Sequence, residues 1–160
     1  MRSISGNVFM KILPQLVVIQ VINMTAGLAP LLLTISDTYM KRVLVIEDEH
    51  LIRSSISRAI RKDGFIVSEA KNSIEAMESI HNGGCDLAIV DLYLEDGLHG
   101  LQLIREIHRC SPEAKIIVIT AHGSEEIRSS VIREGVNCFY DKPFEVGDIR
   151  NAIKEMLAEK

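Results

Sequence analysis

From residue 41 onward, apolar residues follow two alternating rhythms along the chain. Short unbroken runs, VLVI at Val43–Ile46, LAIV at Leu87–Val90 and KIIVIT at Lys115–Thr120, lack polar alternation. Such runs predict strands covered on both faces, as in a parallel sheet. Phe65–Val67 and Val136–Tyr140 are weaker runs and predict two shorter strands. Between the runs, apolar residues recur three and four apart, the spacing of one helical face. Leu51, Ile52, Ile56, Ala59 and Ile60 make the first such stripe, with Arg53, Arg58, Arg61 and Lys62 at the other positions. Met77 and Ile80, then Leu101, Ile104 and Ile107, then Ile127 and Val131, and finally Ile149, Ile153, Met156 and Leu157 make the others.

Punctuation residues fall where these elements should stop and start. Gly64, Gly83-Gly84 and Gly135 close helical stripes, and Pro112 follows another. Asn72 with Glu75 three residues on has the form of a capping box. Ser124 followed by Glu125 and Glu126 suits a helix start, with acidic residues near the positive end of the dipole. Five strands alternating with five helices predict an α/β domain with a doubly wound, five-stranded parallel sheet.

Composition narrows the class. The chain of 160 residues is 47% apolar and 25% charged, which suits one globular domain of ordinary size. A net charge of −4 predicts no direct nucleic-acid partner, since such binders carry a basic face. Cys85, Cys110 and Cys138 have neither metal-knuckle nor redox-motif spacing, so they are expected as reduced thiols.

Residues 1–40 differ from the rest. No charge occurs between Ile12 and Ser36, a length sufficient to cross a bilayer, which takes roughly 20 residues. Pro14, Gly27 and Pro30, with Gln15, Gln20, Asn23 and Thr25, dilute the run. Three readings stay open: a disordered or spurious extension before a start at Met40, a membrane anchor, or a secretory signal. Membrane contact is expected only if residues 12–36 are an anchor. The domain proper is expected over 41–160, with no output domain beyond it.

Candidate chemistry gathers at the strand ends. The first strand leads into Glu47-Asp48-Glu49, the third ends on Asp91, the fourth on Thr120, and the fifth leads to Lys142. In a parallel sheet these ends share one edge, where open α/β sheets take their ligands. Carboxylates crowded there repel unless a cation neutralises them. Oxygen donors without Cys or His favour Mg²⁺. A carboxylate can also be a nucleophile for phosphoryl groups, with a metal and a Lys ammonium stabilising the transferring charge. Taken singly, each residue has a plain reading as turn, cap or surface chemistry.

The motifs VLVIEDE, AIVDLYL, VITAHG and FYDKPF, in this order, resemble a response-regulator receiver domain of two-component signalling, with the CheY-like, flavodoxin-like (βα)5 fold. Asp48 to Asp91 spans 43 residues, Asp91 to Thr120 spans 29, and Thr120 to Lys142 spans 22. The resemblance implies that Asp91 accepts phosphate from a sensor histidine kinase or phosphotransfer protein. It implies Mg²⁺ held by Asp48, Glu47, Asp91 and the backbone carbonyl of Tyr93. It gives Thr120 as the switch hydroxyl, Lys142 as the phosphate-binding lysine before a cis proline, and Phe139 as the aromatic residue that rotates on activation.

On this resemblance the protein is a cytoplasmic phosphoacceptor switch that acts on a downstream protein, not an enzyme in the ordinary sense. An aspartate-nucleophile phosphatase of the haloacid-dehalogenase kind would call for a second aspartate where Tyr93 stands. A receiver-like interaction module that is never phosphorylated is the other alternative. Departures from the family lie mainly after Asp91: Glu95 stands where many members have proline, and Leu98-His99 lengthens the loop to Gly100 by one residue. Tyr93 and His122 are bulky neighbours of the implied phosphoryl group, so slow self-hydrolysis is expected.

Overall fold

The computed structural model describes residues 40–95, 100–121 and 123–158. Except for Met40, the residues read as an extension, anchor or signal lie outside that set, as do Leu98, His99 and His122. Five strands alternate with five helices: β1 (Arg42–Ile46), α1 (His50–Lys62), β2 (Ile66–Ala70), α2 (Ser73–Gly83), β3 (Leu87–Asp91), α3 (Gly100–Cys110), β4 (Lys115–Thr120), α4 (Glu125–Arg133), β5 (Cys138–Asp141) and α5 (Val146–Leu157). All strand pairs are parallel, in the order β2-β1-β3-β4-β5. This is the flavodoxin-like (βα)5 arrangement.

The central strands behave as their sequences demand. Every residue of β3 is buried, as are all but the first residues of β1 and β4. Successive side chains point to opposite faces, so each strand feeds two cores. Leu44, Ile46, Ala88, Val90, Ile116 and Val118 meet Ala76, Ile80, Leu103, Ile104, Ile107 and Val131 from α2, α3 and α4. On the other face, Val43, Val45, Leu87, Ile89, Ile117 and Ile119 meet Ile56, Ile60, Ile149, Ala152 and Ile153 from α1 and α5. Each Val, Leu or Ile among them contributes about 1.5–3 kcal/mol by leaving water.

The edges depart from expectation. The second strand is Ile66–Ala70 rather than Phe65–Val67, and the fifth is Cys138–Asp141 rather than Val136–Tyr140. Edge strands are only partly covered, so their apolar pattern is weak; Ile66 itself is exposed. In α1 the buried stripe is Arg53, Ile56, Ser57 and Ile60, and Leu51 is 80% exposed. Leu51 lies two residues before Arg53, about 200° around the helix, and so faces away from the sheet.

The helix starts read from sequence are made. The Asn72 side chain accepts from Glu75 N–H at 2.9 Å, and Glu75 accepts in return from Lys71 N–H at 3.1 Å. Ser124 Oγ accepts from Ile127 N–H. No described helix is long and apolar enough to cross a membrane.

Candidate functional site

The strand order creates the site. From β1 the chain moves outward to β2, whereas from β3 it moves the opposite way to β4, so the loops leaving β1 and β3 part and open a crevice at their carboxyl ends. Glu47 and Asp48 follow β1 directly, and Asp91 is the last residue of β3. Ile119 is the register partner of Asp91 and Thr120 that of Asp141, so Thr120 and Lys142 reach the same edge. Lys142 N–H donates to the Thr120 carbonyl at 2.8 Å, and the Lys142–Pro143 bond is cis.

The functional groups converge closely. Lys142 Nζ donates to Asp91 Oδ2 at 2.7 Å and lies 2.8 Å from Glu47 Oε2 and 3.6 Å from Glu49 Oε1. Asp91 Oδ1 accepts from Tyr93 N–H at 3.0 Å, Asp48 Oδ2 from Glu95 N–H at 3.0 Å, and Glu47 Oε1 from Glu49 N–H at 3.2 Å. Glu47 and Thr120 are fully buried and Asp91 nearly so. Glu47, Asp48 and Asp91 each offer an oxygen within 4.8 Å of the other two.

Burial decides the electrostatics. It pushes Glu47 up to about 7, against the pull of Lys142 and with further repulsion from Asp91. Burial also works against the Lys142 ammonium, but its hydrogen bond to Asp91 and the negative charge of Glu47 outweigh that and raise it. The Lys142–Glu47 contact is an ion pair by distance, yet it is not aligned as a hydrogen bond, so buried Glu47 Oε2 lacks a directed donor. A buried, undirected oxygen beside two more carboxylates fits a hard divalent cation, which binds through oxygen.

Sequence reasoning missed Arg53. Its spacing predicts the polar face of α1, but it is buried and donates through Nη1 to the carbonyls of Glu47 at 2.6 Å and Asp48 at 2.9 Å. Its guanidinium thereby fixes the backbone that carries both carboxylates, while Glu69 approaches Nε at 3.6 Å. An arginine five residues after an acidic pair is the available signal, masked by the ordinary look of a charged helical position. Gly100 is a second case. A Cβ there would lie 2.7 Å from the Asp91 carbonyl oxygen and Leu92 Cα, so only glycine lets α3 start against the end of β3.

Phe139 is half-buried on β5, with the Arg128 guanidinium 4.1 Å from its ring centroid. Arg128 also binds Asp141 at 2.6 Å, tying α4 to the strand that carries the aromatic residue.

The response regulator receiver domain family matches residues 43–154. The chain belongs to that family. It is similar to the chemotaxis protein CheY of Thermotoga maritima, with 31% identity over 72% of this chain and 97% of that one. The receiver domain protein of Methanospirillum hungatei JF-1 superimposes with a TM-score of 0.69 at 28% identity, over 72% of this chain and 92% of the other. A Burkholderia pseudomallei response regulator, solved with a phosphorylated aspartic acid, a calcium ion and citrate, gives 0.64 at 26% identity over 74% and 73%. Among curated relatives, the share spanned by this receiver ranges from 13% through 61% to 97% of their length. Receiver domains are signalling modules of two-component systems rather than classical enzymes.

Proposed function

We propose that this receiver is a phosphoacceptor switch in which Asp91 is the residue that takes the phosphoryl group. An Asp91 carboxylate oxygen attacks the phosphorus of a phosphohistidine on a sensor kinase or phosphotransfer protein, the P–N bond breaks, and the imidazole leaves. The observation that carries this reading is the placement of Asp91: buried, held by Lys142 at 2.7 Å and flanked by Glu47 and Asp48. Glu47, Asp48, Asp91 and the Tyr93 carbonyl would hold Mg²⁺, which would supply positive charge for the phosphoryl oxygens. Lys142 supplies a second positive group, 2.7 Å from Asp91 Oδ2.

Phosphorylation adds charge beside Thr120 and Lys142, and the Thr120 hydroxyl gives it a hydrogen-bond donor. Phe139 answers that movement on β5, altering the α4–β5–α5 face that a downstream protein reads. The phosphorylated aspartate in the similar Burkholderia protein supports the chemistry. Free Cys85, Cys110 and Cys138 suit a reducing cytoplasm.

Incubation with acetyl phosphate and Mg²⁺ tests the proposal by intact mass. A single phosphoryl group is expected, lost in Asp91→Ala and without the metal. No label under any condition would favour the unphosphorylated interaction module, and rapid multiple turnover a phosphatase.

A further inference from the structure

Among the described residues, a second group of side chains of metal-ligating types lies at the opposite edge of the sheet. Helices in this fold run back across the strands, so α2 and α3 end near the amino ends of β3 and β4. His81 sits in the last turn of α2; Cys110 is the final residue of α3, and Glu106 lies one turn before it on the same side. His81 Nε2 is 2.5 Å from Glu106 Oε1, and Cys110 Sγ is 3.8 Å from the same oxygen. One donor atom from each residue lies within 4.8 Å of the other two. Arg109 holds the Glu106 carboxylate from outside, Nε to Oε2 at 3.0 Å and Nη2 to Oε1 at 2.6 Å.

We propose that His81, Glu106 and Cys110 form a binding site for Zn²⁺ or a similar borderline transition-metal ion, closing α2 onto α3. Imidazole, carboxylate and thiolate are the three side-chain classes that bind zinc. Bonds of about 2.0–2.3 Å in a tetrahedron separate ligand atoms by roughly 3.3–3.8 Å. The Cys110–Glu106 separation already matches; the His81–Glu106 pair opens by roughly 1 Å as the metal replaces the proton between them, which leaves Nε2 for Nδ1 or, from a protonated ring, for solvent. Binding takes the Cys110 thiol proton into solvent, and thiolate plus carboxylate then neutralise a divalent ion.

Arg109 has the part that outer partners of metal ligands play, fixing the orientation of Glu106. His81 is half-exposed, which leaves an entry path and a fourth position for water. The carboxyl-edge cluster offers oxygen alone, so hardness separates the two sites: Mg²⁺ suits one and zinc the other. The inference does not depend on phosphorylation of Asp91.

Cobalt(II) titration of the full chain, with Mg²⁺ in excess to occupy the carboxylates, reads the site directly. A thiolate-to-cobalt charge-transfer band is expected at one equivalent, displaced by Zn²⁺. Cys110→Ser abolishes the band, whereas Cys85→Ser and Cys138→Ser keep it. His81→Gln weakens Zn²⁺ binding by at least about tenfold, and Arg109→Gln by about tenfold. Circular dichroism checks that each variant is folded. Absence of the band in the unaltered protein, its persistence in Cys110→Ser, or unchanged zinc affinity in His81→Gln would overturn the proposal and leave His81–Glu106–Arg109 as an ion-pair network only.

Discussion

Glu47 and Glu106 are the same side chain at opposite edges of one sheet, and their surroundings drive them in opposite directions. Glu47 is fully buried and shares Lys142 with Asp91 and Glu49; burial pushes it up to about 7. Glu106 is partly solvated, and hydrogen bonds from Arg109 and then His81 pull it down to about 2. At the amino edge, the carboxylate is satisfied by its neighbours. At the carboxyl edge, one ammonium is divided among several carboxylates, and the remaining repulsion is relieved by a proton or a cation. Crowded charge of this kind makes the carboxyl edge the candidate for chemistry.

The widest expected difference between the edges is in pH dependence without metal. Because Glu47 is raised in the fold, its contribution favours the fold fully below about 4.5 and is lost as pH rises through about 7. Urea denaturation should show stability falling across that window. Glu47→Gln should flatten the curve, gaining on the order of 3 kcal/mol at pH 8 and almost nothing at pH 4. Parallel curves for the two proteins would break the comparison.

Mg²⁺ should act at the carboxyl edge only. Mg²⁺ at a hundredfold its dissociation constant should add about 2.7 kcal/mol to the unfolding free energy. Asp48→Asn should remove most of that gain, and Glu106→Gln none of it, as read by thermal or urea unfolding with and without Mg²⁺. Arg53→Ala should act through the backbone instead. Leaving the Glu47 and Asp48 carbonyls without their donor should cost about 1–3 kcal/mol and weaken Mg²⁺ binding by about tenfold, measured by calorimetry. The smallest effect belongs to Glu106→Gln without metal: a slight, salt-sensitive change with no step between pH 4.5 and 8, because exposed ion pairs contribute little.

Legibility in the sequence followed coverage. The strands β1, β3 and β4 are packed on both faces, so their apolar runs and terminal residues could be read within a residue. Strands β2 and β5 lie at the edges, where partial exposure relaxes the pattern, and their limits shifted by one to three residues. Asp91, Glu47 and Lys142 were legible because chain order plus parallel pairing brings strand ends together. Arg53 was not, since its partners are carbonyls and no side-chain pattern records them. Leu51 misled because an apolar residue in a first turn counts toward a stripe whichever way it points.

Asp91 is the residue proposed to take the phosphoryl group, and the modified position can be measured. After reaction with acetyl phosphate and Mg²⁺, borohydride reduction converts an aspartyl phosphate to homoserine, which peptide mass mapping locates. The structure predicts conversion at Asp91 and none when Mg²⁺ is withheld. Conversion at another carboxylate, or an unmodified Asp91 in protein shown to bind Mg²⁺, would contradict the account.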